Sequence, residues 1–298
     1  MPPVLTGAFM FEGFDVHEID IGRARVHTRV GGSGPPLLLL HGYPQTHHMW
    51  HRVAPRLAEH FTVVAPDLPG YGASTARDDS VERFSKRELA RDLVAVMAEL
   101  GHERFGLAGH DRGARVAYRL ALDHPGTVER LATLDIMPTL ATWERMQGTG
   151  GLGAYHWYFL AQPFDLPERL IGADPGYFLR WTLESWAQDA SAFDPDALAA
   201  YQGAFAEPAV IHSTCQDYRA GATVDVDIDR EDREAGRRIA APMLVLWGDR
   251  GGRVRGDTHL EVWREWADDV RGGPLACGHF LAEEAPEATA DALLDFFA

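Results

Sequence analysis

The sequence predicts an α/β protein: a mostly parallel central sheet with helices on both faces and an inserted helical cap. Three observations predict it. Short continuous apolar runs recur along the chain, each ending in a turn that carries polar residues. Helical patterns such as Lys86 to Leu100 lie between them. The stretch between Asp135 and the run at Met243 holds no clear strand but carries Trp143, Trp157, Trp181 and Trp186, half of the chain's 8 tryptophans. Apolar runs alternating with helices are the pattern of parallel strands covered on both faces.

Leu37 to Leu40 follows a Gly/Pro-rich turn and leads into HGYPQ. Phe61 to Ala65 repeats the pattern and ends in PDLPGYG. Phe105–Ala108, Leu131–Leu134 and Met243–Trp247 are three further runs of the same kind. Ligands in such sheets bind beyond the carboxyl ends of the strands. His41, Asp67, Asp111, Asp135, Asp249 and His279 each stand at or just past the end of an apolar run, so one edge of the sheet should collect them. The aromatic-rich segment 139–215 reads as a helical cap over that edge. It separates a first core part, 1–138, from a second, 216–298. DVDIDREDREAG, Asp225 to Gly236, reads as a solvated acidic loop and helix start. His47, His48 and His51 have helix-compatible spacing, but no H-E-x-x-H pattern accompanies them. A surface helix is expected there. No metal and no organic cofactor are expected.

Composition narrows the function classes. The chain has 298 residues, 46% hydrophobic and 24% charged, which is ordinary globular usage. A net charge of −16 argues against nucleic acid or an anionic membrane as partner, so an anionic substrate must meet a local cluster of arginines. Cys215 and Cys277 are too few for a disulfide scaffold and fit a reducing compartment. The start MPPVLTGAFMFEGF lacks a basic region followed by an apolar one, and a cytoplasmic location is expected.

The chemistry concentrates in GLAGHDRGARVAY, Gly106 to Tyr118. An apolar run enters a Gly-x-x-x-Gly turn and a helix follows, the context in which a nucleophile is presented on a sharp elbow. The residue at the apex is Asp111. A carboxylate there can displace a leaving group from saturated carbon and form an ester on the protein. Water then attacks the ester carbonyl, and only this second step needs a histidine base. His279, late in the chain in ACGHF, suits that role by chain order. The backbone N–H groups of Arg112 and of Tyr43, in HGYP, are the candidate oxyanion donors. Asp249 in LWGDR and Asp135 in TLDIM are both placed to orient the histidine, and spacing does not choose between them.

Arg112 and Arg115 stand three apart beside Asp111. A carboxylate substrate would be repelled by Asp111, by about 4 kcal/mol at 4 Å and an effective dielectric near 20. Two guanidinium groups offset this and aim the reacting carbon.

Together HGYPQTHHMW, DLPGYG, GHDRGARVAYRLALDHP, YHWYFLAQP, QDYRAG, PMLVLWG and GHFLAEEAPE resemble the fluoroacetate dehalogenases, haloacetate dehalogenases of the α/β-hydrolase fold. The resemblance runs from about residue 10 to the end of the chain. It implies Asp111 as nucleophile, His279 as base and Asp135 rather than Asp249 as the orienting acid. It further implies Arg112 and Arg115 as the carboxylate grip, and His156, Trp157 and Tyr218 around the halide. Imidazole, indole and phenol supply three donors for a small, strongly hydrated fluoride. The implied reaction turns a haloacetate, fluoroacetate foremost, into glycolate and halide, with a small anionic haloacid as partner and a homodimer as assembly. One departure stands out: the family's PGYG usually continues with Trp-Ser-Asp, and here Ala73-Ser74-Thr75 follow. Epoxide hydrolases share the ester chemistry but normally carry Trp after the nucleophile and two cap tyrosines, so Arg112 speaks against that alternative. A non-catalytic carboxylate-binding relative is the other alternative, against which the intact Asp111/His279 pair argues.

Overall fold

Leu37, Leu38, Leu39 and Leu40 are all fully buried, as are Val63, Val64, Leu107, Ala108, Leu131 and Ala132. These runs form the middle of a sheet in the computed structural model, which describes residues 10–249 and 258–298. The strands are β1 (Phe14–Asp20), β2 (Ala24–Gly32), β3 (Pro36–Leu40), β4 (Thr62–Pro66), β5 (Thr75–Ala76), β6 (Phe105–His110), β7 (Val128–Leu134), β8 (Met243–Gly248) and β9 (Val270–Leu275). Their order is β1-β2-β4-β3-β6-β7-β8-β9, with β5 paired to β2. From β4 to β9 every neighbour is parallel. The carboxyl ends of β3, β6, β7 and β8 therefore lie along one edge.

The α/β reading holds, and the strands that escaped it lie at the sheet's margins. β1 and β2 form an antiparallel hairpin, and β2 pairs antiparallel with β4. Most of β1 faces water, so no continuous apolar run announced it. β9, VRGGPL, is an edge strand whose residues are all exposed or half-buried. Glycine and proline weaken a strand signal and are tolerated at an edge.

Between β7 and β8 the chain is helical. Prolines open the first turns of Leu166–Ala173, Pro175–Trp186, Pro195–Phe205 and Pro208–Ala222, where the missing N–H has no intrahelical partner to lose. Asp174 and Asp194 cap two of these helices through their side chains. The boundary drawn at residue 215 falls inside the helix Pro208–Ala222, so Gln216 to Ala222 go with the cap rather than with the second core part.

Two local expectations are corrected. The acidic segment is a helix, Val224–Glu234, and Asp225, Asp229 and Asp232 on it are buried. Arg119 reaches both Asp229, at 3.2 Å, and Asp232, so this face is paired with buried cations instead of being solvated. His47–Trp50 is a single 3-10 turn capped by Thr46, and His47 and His51 are buried. Among the described residues no helix is long and apolar enough to cross a membrane.

Candidate active site

β6 runs directly into the helix Asp111–Asp123, and Asp111 makes the corner with φ = +46°. An L-residue is rarely held there, and such strain clusters at functional positions. Two glycines make the corner geometrically feasible. A Cβ on Gly109 would lie 2.7 Å from the Ala114 backbone, and one on Gly113 would lie 2.3 Å from the His41 carbonyl oxygen. The strand and helix backbones thus pack too closely for any side chain.

The Tyr43 backbone N–H donates to Asp111 Oδ1 at 2.9 Å. The other oxygen, Oδ2, stands 3.9 Å from His279 Nε2. On the far side of the ring, His279 Nδ1 is 2.5 Å from Asp135 Oδ2. Asp135 is itself held at φ = +56°, and its Oδ1 accepts the Gly248 N–H at 3.0 Å. His110 Nε2 bonds the His279 carbonyl oxygen at 2.8 Å, which anchors the loop. Asp249, past the end of β8, is exposed and donates its N–H to Leu275 O at 3.0 Å. His279 therefore meets Asp135 on one side and Asp111 on the other.

Electrostatics favour ionised carboxylates here. Burial works to raise the Asp111 carboxyl, but His279, His110, Arg112 and Arg115 outweigh it and hold it below its ordinary value. Asp135 is likewise lowered: burial opposes, and the hydrogen bond and charge of His279 prevail. Burial, together with the neighbouring His279, pushes His110 down to about 4, so this imidazole stays neutral.

Both arginines are buried against the cap. Arg112 Nε donates to Asp217 Oδ2 at 2.8 Å, and its Nη2 donates to Asp217 Oδ1 at 2.9 Å and to the Asp217 carbonyl at 2.8 Å. Arg115 Nη1 donates to Met137 O at 3.0 Å and to Thr139 Oγ1 at 3.2 Å. Their guanidinium carbons lie 4.2 Å from the Tyr218 ring centre and 4.4 Å from that of Trp157, respectively. Arg112 Nη1 and Arg115 Nε are buried with no hydrogen-bond partner among the described residues. His156, Trp157 and Tyr218 close a ring of aromatics: His156 and Trp157 are 6.4 Å apart, and each is 5.8 Å from Tyr218. The Tyr218 hydroxyl is buried and equally unpartnered.

Asp217 escaped sequence reasoning. It stands beside Tyr218 and is fully buried, and it also accepts from Tyr71 Oη at 2.7 Å and from Lys86 Nζ. Its signal in the sequence was an acid next to the candidate Tyr218, in QDYRAG. His27, His47 and Asp67 come within 4.8 Å of one another. Asp67, however, is already engaged by His47 N and Nδ1, both at 2.8 Å, and by Ala73 N at 2.9 Å, so the cluster reads as a loop anchor.

The strand–elbow–helix, the histidine loop after the last strand and the cap meet in one constellation. The family model described as alpha/beta hydrolase fold matches residues 35–286. The chain belongs to the α/β-hydrolase family. This hydrolase is 44% identical over 290 residues to a fluoroacetate dehalogenase of Burkholderia sp, covering 96% of this chain and 95% of that one. It is 36% identical over 290 residues to a soluble epoxide hydrolase of Corynebacterium sp. (strain C12), covering 95% and 96%. The crystal structure of ALR0039 from Nostoc sp PCC 7120 matches it with a TM-score of 0.94 at 52% identity, over 97% of this chain and 99% of that one.

Proposed function

We propose that this hydrolase cleaves the carbon–halogen bond of a haloacetate, fluoroacetate foremost, and yields glycolate and halide through an ester on Asp111. The observation that carries the reading is the pair of buried donors on Arg112 Nη1 and Arg115 Nε that lack a partner. Buried charged donors without an acceptor are rare and costly, and a carboxylate seated between them supplies the acceptors. An epoxide substrate offers no such group. The Burkholderia relative supports the same substrate class.

In the first step Asp111 Oδ2 attacks the carbon that bears the halogen. A carbon–oxygen bond forms, and the halide leaves with the bonding pair toward His156, Trp157 and Tyr218. Water then adds to the Asp111 carboxyl carbon, and His279 Nε2 takes its proton. Negative charge developing on Oδ1 falls on the Tyr43 N–H, which already donates there. On collapse the bond between the Asp111 carboxyl carbon and Oδ2 breaks, and Oδ2 departs as the hydroxyl oxygen of glycolate, taking the proton back from His279. Asp111 returns as a carboxylate with an oxygen from water, its acid proton passing to solvent. Asp135 stabilises the imidazolium formed in this step.

The test is halide release from fluoroacetate and chloroacetate, side by side, with His279→Asn as companion. That variant should release one equivalent of halide and retain a carboxymethyl group on the peptide containing Asp111. A folded wild type that releases halide from neither substrate defeats the reading. The epoxide alternative has its own observation, the Corynebacterium relative, and diol formation from a small epoxide at a rate exceeding halide release would favour it.

A further inference from the structure

We infer that Asp217 is a positioning residue, and that the cap helix Pro208–Ala222 carries a preformed seat for the Arg112 guanidinium which aims its single open N–H edge at the substrate carboxylate. The inference deepens the haloacetate reading and rests on it.

Arg112 belongs to the core, on the helix that begins at Asp111, whereas its contacts belong to the cap. Asp217 takes Nε and Nη2 in a bidentate fork, and the Tyr218 ring lies under the guanidinium at 4.2 Å. Gly221, one turn further on, leaves the space that the guanidinium occupies. A Cβ there would meet Nη2 at 2.9 Å and Nη1 at 3.4 Å. The seat is itself held: Tyr71 Oη and Lys86 Nζ donate to the Asp217 carboxylate, and Lys86 Nζ also lies 3.5 Å from Asp225 Oδ2. Two of the three guanidinium nitrogens are thereby committed to the cap, and Nη1 alone is left without a partner.

Arg115 is built differently. Its described hydrogen bonds go to a carbonyl and a hydroxyl, not to a carboxylate. The grip therefore consists of one donor edge from each arginine, Nη1 of Arg112 and Nε of Arg115. Docking of the cap completes it, because the cap fixes the direction of Arg112. A bidentate partner fixes guanidinium orientation far better than a single bond does.

The experiment compares Asp217→Asn and Gly221→Ala with wild type by two readouts: kinetics on chloroacetate, and the affinity for unreactive glycolate by titration calorimetry. If the seat orients Arg112, both variants should raise KM at least tenfold, more than they lower kcat, and weaken glycolate binding by a similar factor. Asp217→Asn removes a negative charge near an anion site, so a mere counter-charge role predicts the opposite, tighter glycolate binding. That result, or a lowered Tm with KM and glycolate affinity unchanged, overturns the proposal. Gly221→Ala leaves every charge in place and decides the matter if Asp217→Asn fails to fold. Wild-type protein that neither releases halide nor binds glycolate overturns the haloacetate reading, and the seat falls with it. Variants that match a working wild type overturn the seat alone.

Discussion

His279 Nδ1 stands 2.5 Å from Asp135 Oδ2, although 144 residues separate them. Parallel pairing of β7 with β8 brings the acid to the right edge, where the Asp135 N–H donates to Leu246 O at 2.8 Å. The second carboxylate oxygen accepts from Gly248 N, so Asp135 is held by contacts independent of the histidine. With Nδ1 turned to Asp135, Nε2 on the opposite side of the ring faces Asp111 Oδ2 at 3.9 Å.

Asp135→Asn should therefore leave ester formation largely intact and slow ester hydrolysis, by about 10²–10⁴-fold if general base catalysis is lost. Mass spectrometry of the Asp111 peptide after exposure to chloroacetate reads this as an accumulating adduct. Asp249→Asn should turn over without accumulation, and the reverse pattern would reassign the acid.

Arg115→Leu should sharply lower haloacetate turnover. An unpaired charge left in a closed site costs about 2–5 kcal/mol, a loss of roughly 30- to 4000-fold in kcat/KM. Chloroacetamide, which keeps the leaving group but lacks the charge, should be a poor substrate of the wild type. Equal kcat/KM values for the acid and the amide would remove the carboxylate grip from the account.

Carbon–fluorine cleavage demands more stabilisation of the departing anion than carbon–chlorine cleavage, and only contacts that strengthen in the transition state lower that barrier. A hydrogen bond to a charged group is worth about 1.5–3 kcal/mol. Tyr218→Phe and Trp157→Phe should each slow fluoroacetate by about ten- to a hundredfold at saturation, and chloroacetate by less. Parallel losses on both halides would mean that these rings only shape the pocket.

A buried carboxyl clasps cap to core. Glu283 Oε1 accepts from Tyr201 Oη at 2.5 Å and from Gln45 Nε2 at 3.2 Å, while Oε2 faces His51 Nδ1 at 3.9 Å. Burial pushes this carboxyl up to about 8. The folded state thus holds a proton that the unfolded chain releases near pH 4.3. The resulting stability is complete below that pH and is lost as pH rises toward 8, by up to about 1.4 kcal/mol per pH unit. Glu283→Gln should remove this slope, so urea midpoints from pH 5 to 8 should converge on a flatter profile than wild type. Identical pH profiles would exclude Glu283 as the titrating group.

The parallel centre of the sheet was legible because full burial on both faces forces continuous apolar runs, as in Leu37–Leu40 and Met243–Trp247. The margins were not legible. β1 alternates toward water, and β9 is interrupted by glycine and proline. The elbow was equally plain in one dimension, because a corner at Asp111 requires Gly109 and Gly113 at fixed offsets.

By itself the sequence determined the fold class and the corner that presents Asp111, and it supplied the side chains proposed for ester chemistry and for a carboxylate grip. All of these are local: periodicity, a steric requirement of a turn, or the chemistry of one residue type. Which acid meets His279, and what holds Arg112, only the tertiary structure decided. Asp135 and Asp249 both follow parallel strands, and strand order and a positive φ bring the first to the ring. Asp217 reaches Arg112 across 105 residues. Such a contact is fixed by how the cap docks on the core, and no spacing along the chain encodes that distance.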